Sequence, residues 1–474
     1  MKPWGLKEGF LLGGVLVAVG LALQASAGPV RWEWLSFPVN LILLIVFVAL
    51  LVAAYLLRRK VYLFEWMMHP GAAVPAMSYV LAGTVLMGLF AQRDDGGGTR
   101  WLSQMLDFWP FVLCYVWMVA IVGLATLNHL LRFKLREVPF LLNHLGLFLA
   151  LICGALGAPD VQQLQMTVFD DAPQHRAMDK EGYGYEWDLS VELHRFTVDY
   201  YEDGMPRRFA SDISVHLPDG RTIDRTVEVN RPLKVKGWKI YQYGYDVQRG
   251  PESRYSVFLL VRDPWLPGVY LGFFLMLAGA LSLIVLKYVP RRKWVLLAAL
   301  ILTGFFTFLT VTRMGPSAKS LPPALQSPWF IPHLIVYMAG YAMLATATLM
   351  AVYMWVKRCP VKPGMTKKKP GMTERMDVTD YLVYVGLAFL TIGMLFGALW
   401  AKEAWGQYWS WDPKETWAAI TWLSYLLYIH FRRARPQEVR IALVVLLLSF
   451  LFLQMCWWGI NYLPSARGLS VHVY

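Results

Sequence analysis

The sequence predicts a polytopic α-helical membrane protein of about eleven transmembrane helices, N-terminus in and C-terminus out, with one small exported antiparallel β domain. Three observations carry this. Of 474 residues, 57% are hydrophobic and only 16% charged, whereas about a quarter of the residues of a soluble domain are charged. The apolar residues gather into segments close to the length of about 20 residues that crosses a bilayer. The Lys and Arg behind the net charge of +13 stand in short runs at the ends of those segments, as the positive-inside rule requires. The charge is therefore topological and gives no nucleic-acid surface.

Taken in order, the segments run approximately 9–26, 38–57, 74–92, 108–131, 138–157, 268–287, 294–312, 330–356, 379–400, 417–431 and 438–459. The first follows Met1-Lys-Pro-Trp and carries Ala-Ser-Ala near its end, the pattern of a signal peptide; an uncleaved anchor is the reading adopted. Basic loops at 58–60, 132–136, 287–293, 357–375 and 432–440 all fall on the cytoplasmic side if the N-terminus does. The loop at 357–378, with Lys-Pro-Gly-Met-Thr twice, reads as a flexible linker. Cys114, Cys153, Cys359 and Cys456 are isolated, without a C-x-x-C, so no dithiol or thiolate metal centre is expected.

Residues 158–267 are the one large stretch outside the apolar segments. Asp188 to Val198, Asp212 to Leu217 and Tyr255 to Val261 alternate or concentrate β-branched and aromatic residues, and Pro218-Asp-Gly-Arg221 supplies a hairpin turn. His175, His194 and His216 lie here without ligand spacing and read as surface or sheet histidines.

The stretch most concentrated in chemistry is Trp405-Gly-Gln-Tyr-Trp-Ser-Trp-Asp-Pro-Lys-Glu-Thr-Trp417. Trp405, Tyr408, Trp409, Trp411 and Trp417, locked to Gly406 and Asp412, are expected to form a flat aromatic surface on which a planar ligand stacks. Asp412 before Pro413 has the pattern of a helix N-cap and first-turn proline. His333 opens the eighth segment and His472 stands near the end of the chain, both on the expected side of the tryptophan loop. Two imidazoles flanking an aromatic platform can supply both axial ligands to a haem iron. His144 and His430 lie within the opposite half of the bilayer, where ionisable groups are costly, and can form a second bis-histidine site. His129 reads as a headgroup contact and His69 as structural.

The run from Trp405 to Trp417 resembles the tryptophan-rich "WWD" stretch of haem-handling proteins, and its Pro-Lys-Glu-Thr continuation the CcsA/ResC branch of cytochrome c biogenesis. Pro332-His333, the run to His430 and His472-Val-Tyr are similar to that family as well. Asn143-His-Leu-Gly, Asp203-Gly-Met-Pro-Arg, Val229-Asn-Arg-Pro-Leu, Tyr241-Gln and Arg262-Asp-Pro resemble the partner family, CcsB/ResB. The resemblance divides the chain into an N-terminal four-helix region (1–137), a ResB/CcsB-like region with the β domain (138–290) and a CcsA/ResC-like membrane domain (291–474). It implies a fused system II cytochrome c synthetase of a bacterial cytoplasmic membrane, with tryptophan loop, β domain and C-terminus outside. Its cofactor would be haem b, held by His333 and His472 externally and by His144 and His430 within the membrane. Its partners would be apocytochrome c, through a Cys-x-x-Cys-His segment, thiol reductants from other proteins, and lipid. The activity implied is thioether formation between haem vinyl groups and the two thiols. A haem exporter or relay serving a separate lyase, and a cofactor-free assembly scaffold, are the other readings open at this level.

Overall fold

The computed structural model describes residues 4–92, 100–288, 321–357 and 370–463, together with 297, 301, 304 and 466. Ten long helices lie among them: α1 (Leu6–Ala27), α2 (Val39–Leu57), α3 (Pro70–Leu89), α4 (Trp109–Leu130), α5 (Val138–Gly157), α6 (Leu266–Ser282), α7 (Phe330–Val356), α8 (Pro370–Ala404), α9 (Pro413–Ala434) and α10 (Val439–Trp457). Among the described residues, nine helices are long and apolar enough to cross a membrane, and the chain is a polytopic helical membrane protein. α9, expected as the tenth span, is long enough at 22 residues but is not among the nine. It can carry polar residues because it is packed inside the bundle, where Thr416, Thr421, Ser424, Tyr425 and Tyr428 are all buried. The segment expected at 294–312 lies outside the described residues.

Between α5 and α6 the chain leaves the bundle to form eight antiparallel strands: β1 (Gln162–Phe169), β2 (Gln174–Met178), β3 (Gly184–Tyr200), β4 (Pro206–His216), β5 (Thr222–Glu228), β6 (Leu233–Val235), β7 (Trp238–Tyr245) and β8 (Tyr255–Arg262). They pair in the order β5-β4-β3-β2-β1-β8-β7-β6. Alternation buries one face, with Leu164, Met166 and Val168 of β1 meeting Val191, Ile213, Ile240, Phe258 and Leu260. The sheet curls until Ser211 of β4 hydrogen-bonds Gln242 Oε1 of β7 at 2.7 Å and Ser256 of β8 at 2.6 Å, all three buried. The domain is therefore barrel-like. The expected hairpin turn is present, with Leu217 and Arg221 closing it between β4 and β5.

α5 and α6 carry the β domain on a tightly crossed pair. A Cβ added at Gly146 would stand 2.6 Å from the carbonyl oxygen of Gly272, and one at Gly272 would stand 2.7 Å from that of Gly146. Only small residues permit such an approach of two backbones in a membrane. Where α5 gives way to β1, Asp160 accepts from the Phe37 amide, Asn40 Nδ2 and Trp265 Nε1 at 2.7–2.8 Å. One carboxylate thus ties α2 to both junctions between the bundle and the β domain.

Candidate functional site

At the end of the bundle that carries the β domain, α8 runs into the tryptophan loop and α9 leaves it. Asp412 is the N-cap of α9: its Oδ1 accepts from the Lys414 amide at 2.8 Å, and Glu415 reaches back to the Asp412 amide. This capping box satisfies amides that the first helical turn leaves without intrahelical partners. Trp411, just before the cap, is held at φ +58°.

The aromatic residues of the loop do not form the single flat surface that was expected. Trp409 and Trp411 meet edge to face, with planes 85° apart. Trp405 packs on Trp400 at the end of α8, whereas Tyr408 lies beside Phe273 of α6. Trp417 is enclosed: only 2% exposed, it sits among Ile420, Cys456 and Phe452 and donates its indole N–H to the carbonyl oxygen of Gly88 on α3. It belongs to the first turns of α9, so the faces of its ring are taken by protein. Among the described residues, the buried Trp409 Nε1 has no hydrogen-bond partner.

Much of this loop is seated on the β domain. Gly406 has φ +79°, and a Cβ there would stand 2.9 Å from Val261 Cγ2 and 3.3–3.4 Å from Tyr241 and Leu259. Gln407 bonds Gln163 of β1 at 2.9 Å, and the Tyr241 hydroxyl donates to the carbonyl oxygen of Lys402 at 2.8 Å. Lys402 Nζ pairs with Asp263 Oδ2 at 3.1 Å. Gly406 is thus required by a left-handed backbone and by the closeness of the sheet.

His333 lies three residues into α7, whose approach is fastened to the β domain by Asn230 and Tyr201. Its Nδ1 donates to the carbonyl oxygen of Gly393 at 2.9 Å, and its ring meets Tyr337 and Trp400 edge-on at 4.7 and 5.8 Å. Gly397 leaves room for it, since a Cβ there would be 2.9 Å from His333 Cε1. A chain of rings, His333 to Trp400 to Trp405, therefore joins the histidine to the loop. His472 lies outside the described residues.

Toward the other end of the bundle the structure brings His144 of α5 and His430 of α9 together, with ring centroids 6.4 Å apart. His144 stands thirteen residues before the end of α5, about 20 Å at the helical rise. Each Nδ1 donates to the carbonyl oxygen one turn back, that of Phe140 at 3.0 Å and that of Leu426 at 2.8 Å. Phe140 stacks between His144 and His129, and His129 pairs with Glu137 at 2.8 Å, a protein contact where a headgroup was expected.

The three described candidate histidines share one feature. A carbonyl oxygen only accepts, so Nδ1 carries the proton in each and Nε2 carries the lone pair, the arrangement that prepares an imidazole to bind a metal. Two axial nitrogens at about 2 Å from one iron put ring centres on the order of 6 Å apart, matching His144 and His430. The histidines of the β domain are bonded differently, His194 to Ser214 and His216 to Glu192 and Thr222. Sequence reasoning missed Lys402 and Gly393, and it quoted Asp263 within Arg262-Asp-Pro without its pairing to Lys402. A lysine immediately beyond an apolar segment, in Trp400-Ala-Lys-Glu403, was the available signal for the first.

Comparisons with known proteins agree with this architecture. The profile described as "Cytochrome C assembly protein" matches residues 268–466, and that of the "ResB-like family" matches residues 132–254. The chain is similar to the cytochrome c biogenesis protein CcsA of Chlamydomonas reinhardtii, 37% identical over 177 residues, which are 37% of this chain and 48% of that protein. It is similar to that of Cuscuta exaltata, 36% identical over 36% of this chain and 62% of the relative, and to that of Welwitschia mirabilis, 34% identical over 39% and 68%. The chain thus spans about half to two thirds of the length of these relatives. With its tryptophan loop, its ring-linked His333 and these matches, the chain belongs to the family of the cytochrome c biogenesis protein CcsA, with a ResB-like region fused ahead of the CcsA-like one.

Proposed function

We propose that this protein takes up haem in the membrane, presents it beside the β domain on the extracytoplasmic face of a bacterial cytoplasmic membrane, and joins it to apocytochrome c. The observation that carries the reading is the common state of His144, His333 and His430, each with Nδ1 engaged by a backbone carbonyl and Nε2 prepared for a metal. His144 and His430 hold the haem iron first, and His333 with His472 holds it at the tryptophan loop. The Trp409 indole, which has no hydrogen-bond partner among the described residues, and the ring chain through Trp400 and Trp405 fit a large planar, polarisable ligand.

Haem supplies two vinyl groups as the electrophilic partners. The chain's own task is positioning: it holds those groups beside the thiols of an extended Cys-x-x-Cys-His segment and replaces a bimolecular encounter with an oriented one. Each thiol adds its sulfur and its hydrogen across one vinyl double bond, a step without net oxidation. The thiols are reduced by other proteins, since this chain carries no C-x-x-C. The carbonyl of Gly393 keeps His333 in one tautomer while its other nitrogen is exchanged for the histidine of the substrate.

The test is spectroscopic. Purified wild-type protein is expected to show a bis-imidazole haem spectrum that changes in His333→Ala and His472→Ala. Unchanged spectra in both variants, or haem-free protein, would sink the assignment. Coexpression with an apocytochrome c then separates synthetase from relay, by whether haem remains on the substrate after denaturation.

A further inference from the structure

The sheet face that receives the tryptophan loop carries two lysines that the proposed reaction has not used. Lys239 of β7 is paired in register with Val261 of β8 on one side and with Lys234 of β6 on the other. Directly opposed residues of antiparallel strands project to the same face with Cβ atoms about 5 Å apart. Val261 is the residue whose Cγ2 stands 2.9 Å from the Cβ position of Gly406. Tyr241, two residues along β7 and so on the same face, bonds the backbone of Lys402. Lys234, Lys239 and Val261 therefore form a row that runs from solvent to the loop, with Lys239 half-buried and Lys234 exposed.

Two like charges opposite each other in a sheet destabilise it. Neither Lys234 nor Lys239 has an ion-pair partner among the described residues. The acidic groups at the seam are engaged: Asp263 with Lys402, and Glu403 with the Trp329 indole at 3.0 Å. Burial and the charges of Lys402 and Lys234 bring Lys239 down to about 8, against the opposing pull of Glu403 and Asp263. A pair of uncompensated cations beside an aromatic loop is a place for a ligand with two carboxylates.

We propose that Lys239 and Lys234 receive the two propionate carboxylates of a porphyrin presented at the tryptophan loop. This rests on the haem-handling reading above. Lys239 takes the inner carboxylate and Lys234 the outer one, so the sheet orients the macrocycle and leaves its vinyl edge turned away from the β domain.

The full chain in nanodiscs of zwitterionic lipid is titrated with iron protoporphyrin IX and with its dimethyl ester, which lacks the two charges, and affinity is read from absorbance. Wild type is expected to prefer the diacid by on the order of tenfold. Lys239→Gln should abolish most of that preference, Lys234→Gln part of it, and Lys239→Arg should retain it. Equal preference in wild type and in both Gln variants overturns the proposal. So does a preference that vanishes in nanodiscs rich in anionic lipid, because the lysines would then serve lipid phosphates. If neither porphyrin gives an imidazole-ligated spectrum with any form, the haem-handling reading itself falls and takes this proposal with it.

Discussion

Lys402, two residues before the end of α8, and Asp263, in the turn that leads from β8 to α6, form an ion pair of 3.1 Å whose side chains are 2% and 6% exposed. The pair joins the helix that enters the tryptophan loop to the strand on which the loop rests. Both charges have left water, so each depends on the other. Lys402→Met alone, or Asp263→Asn alone, should destabilise the seat by about 3–5 kcal/mol, because it leaves one buried charge uncompensated. The double variant Lys402→Met, Asp263→Leu should recover most of that loss. Thermal unfolding of the purified protein, followed by limited proteolysis within residues 158–267, measures both. Single variants as stable as wild type would show that the pair is not what holds the seam.

Gly406 tests the same seam through sterics. Its φ of +79° is one that other residues adopt only with strain, and the sheet leaves no space for a side chain. Gly406→Val should cost about 2–4 kcal/mol and loosen the loop from Tyr241, Leu259 and Val261, while the helices keep their content. Hydrogen exchange is expected to rise in the loop and along β7 and β8 together. A rise confined to the loop would mean that the two are not seated on each other.

The legibility of this chain in its sequence follows from which forces are local. Hydropathy and basic runs gave the helices, because crossing a bilayer demands a contiguous apolar stretch. Alternation and Pro218-Asp-Gly gave strands and a hairpin, and Asp412-Pro413 gave the cap of α9. His144 and His430 were placed in the same half of the bilayer from their positions in the apolar segments and set together as a ligand pair by the resemblance, and their rings stand 6.4 Å apart. The flat aromatic surface failed for a physical reason. Aromatic residues adjacent in a loop face different packing demands, so Trp405, Tyr408 and Trp417 turn toward three separate neighbourhoods. α9 was read as an ordinary span, yet its polar content is tolerated only because α3, α8 and α10 surround it. The Lys402–Asp263 pair joins positions 139 residues apart, and no single stretch encodes that meeting.

Trp417 and Trp409 should therefore separate in their effects. Trp417→Ala removes a ring enclosed in the bundle and is expected to cost about 3–5 kcal/mol. Trp417→Phe, which loses mainly the indole bond to Gly88, should cost about 1 kcal/mol. Neither should move the absorption maxima of bound haem in the protein that remains folded. Trp409→Phe should leave the melting temperature nearly unchanged and alter the haem spectrum or affinity, since its indole donor has no partner among the described residues. The reverse pattern would transfer the ligand-facing role from Trp409 to Trp417.

Lys239 sits at about 8 rather than near the usual lysine value, first because burial disfavours its charge and then because Lys402 and Lys234 repel it. Glu403 and Asp263 oppose this and keep it from falling further. A lowered lysine pKa means that the folded chain binds this proton less tightly than the unfolded chain does. Stability should therefore gain from this group as pH rises from about 8 toward the unfolded lysine value near 10.4, and gain nothing from it below 8. Binding has the opposite sign. A carboxylate ligand needs the protonated amine, so the preference for the diacid porphyrin over its dimethyl ester should be full at pH 7 and decline as pH rises through 8. Because the bound carboxylate raises the lysine pKa, binding above pH 8 should be accompanied by proton uptake, measurable as a dependence of the binding heat on buffer ionisation. Lys239→Arg, with a guanidinium that stays protonated, should flatten the decline between pH 7 and 9. A wild-type preference that is constant across that range, or an Arg variant that declines as wild type does, would remove Lys239 from the carboxylate site.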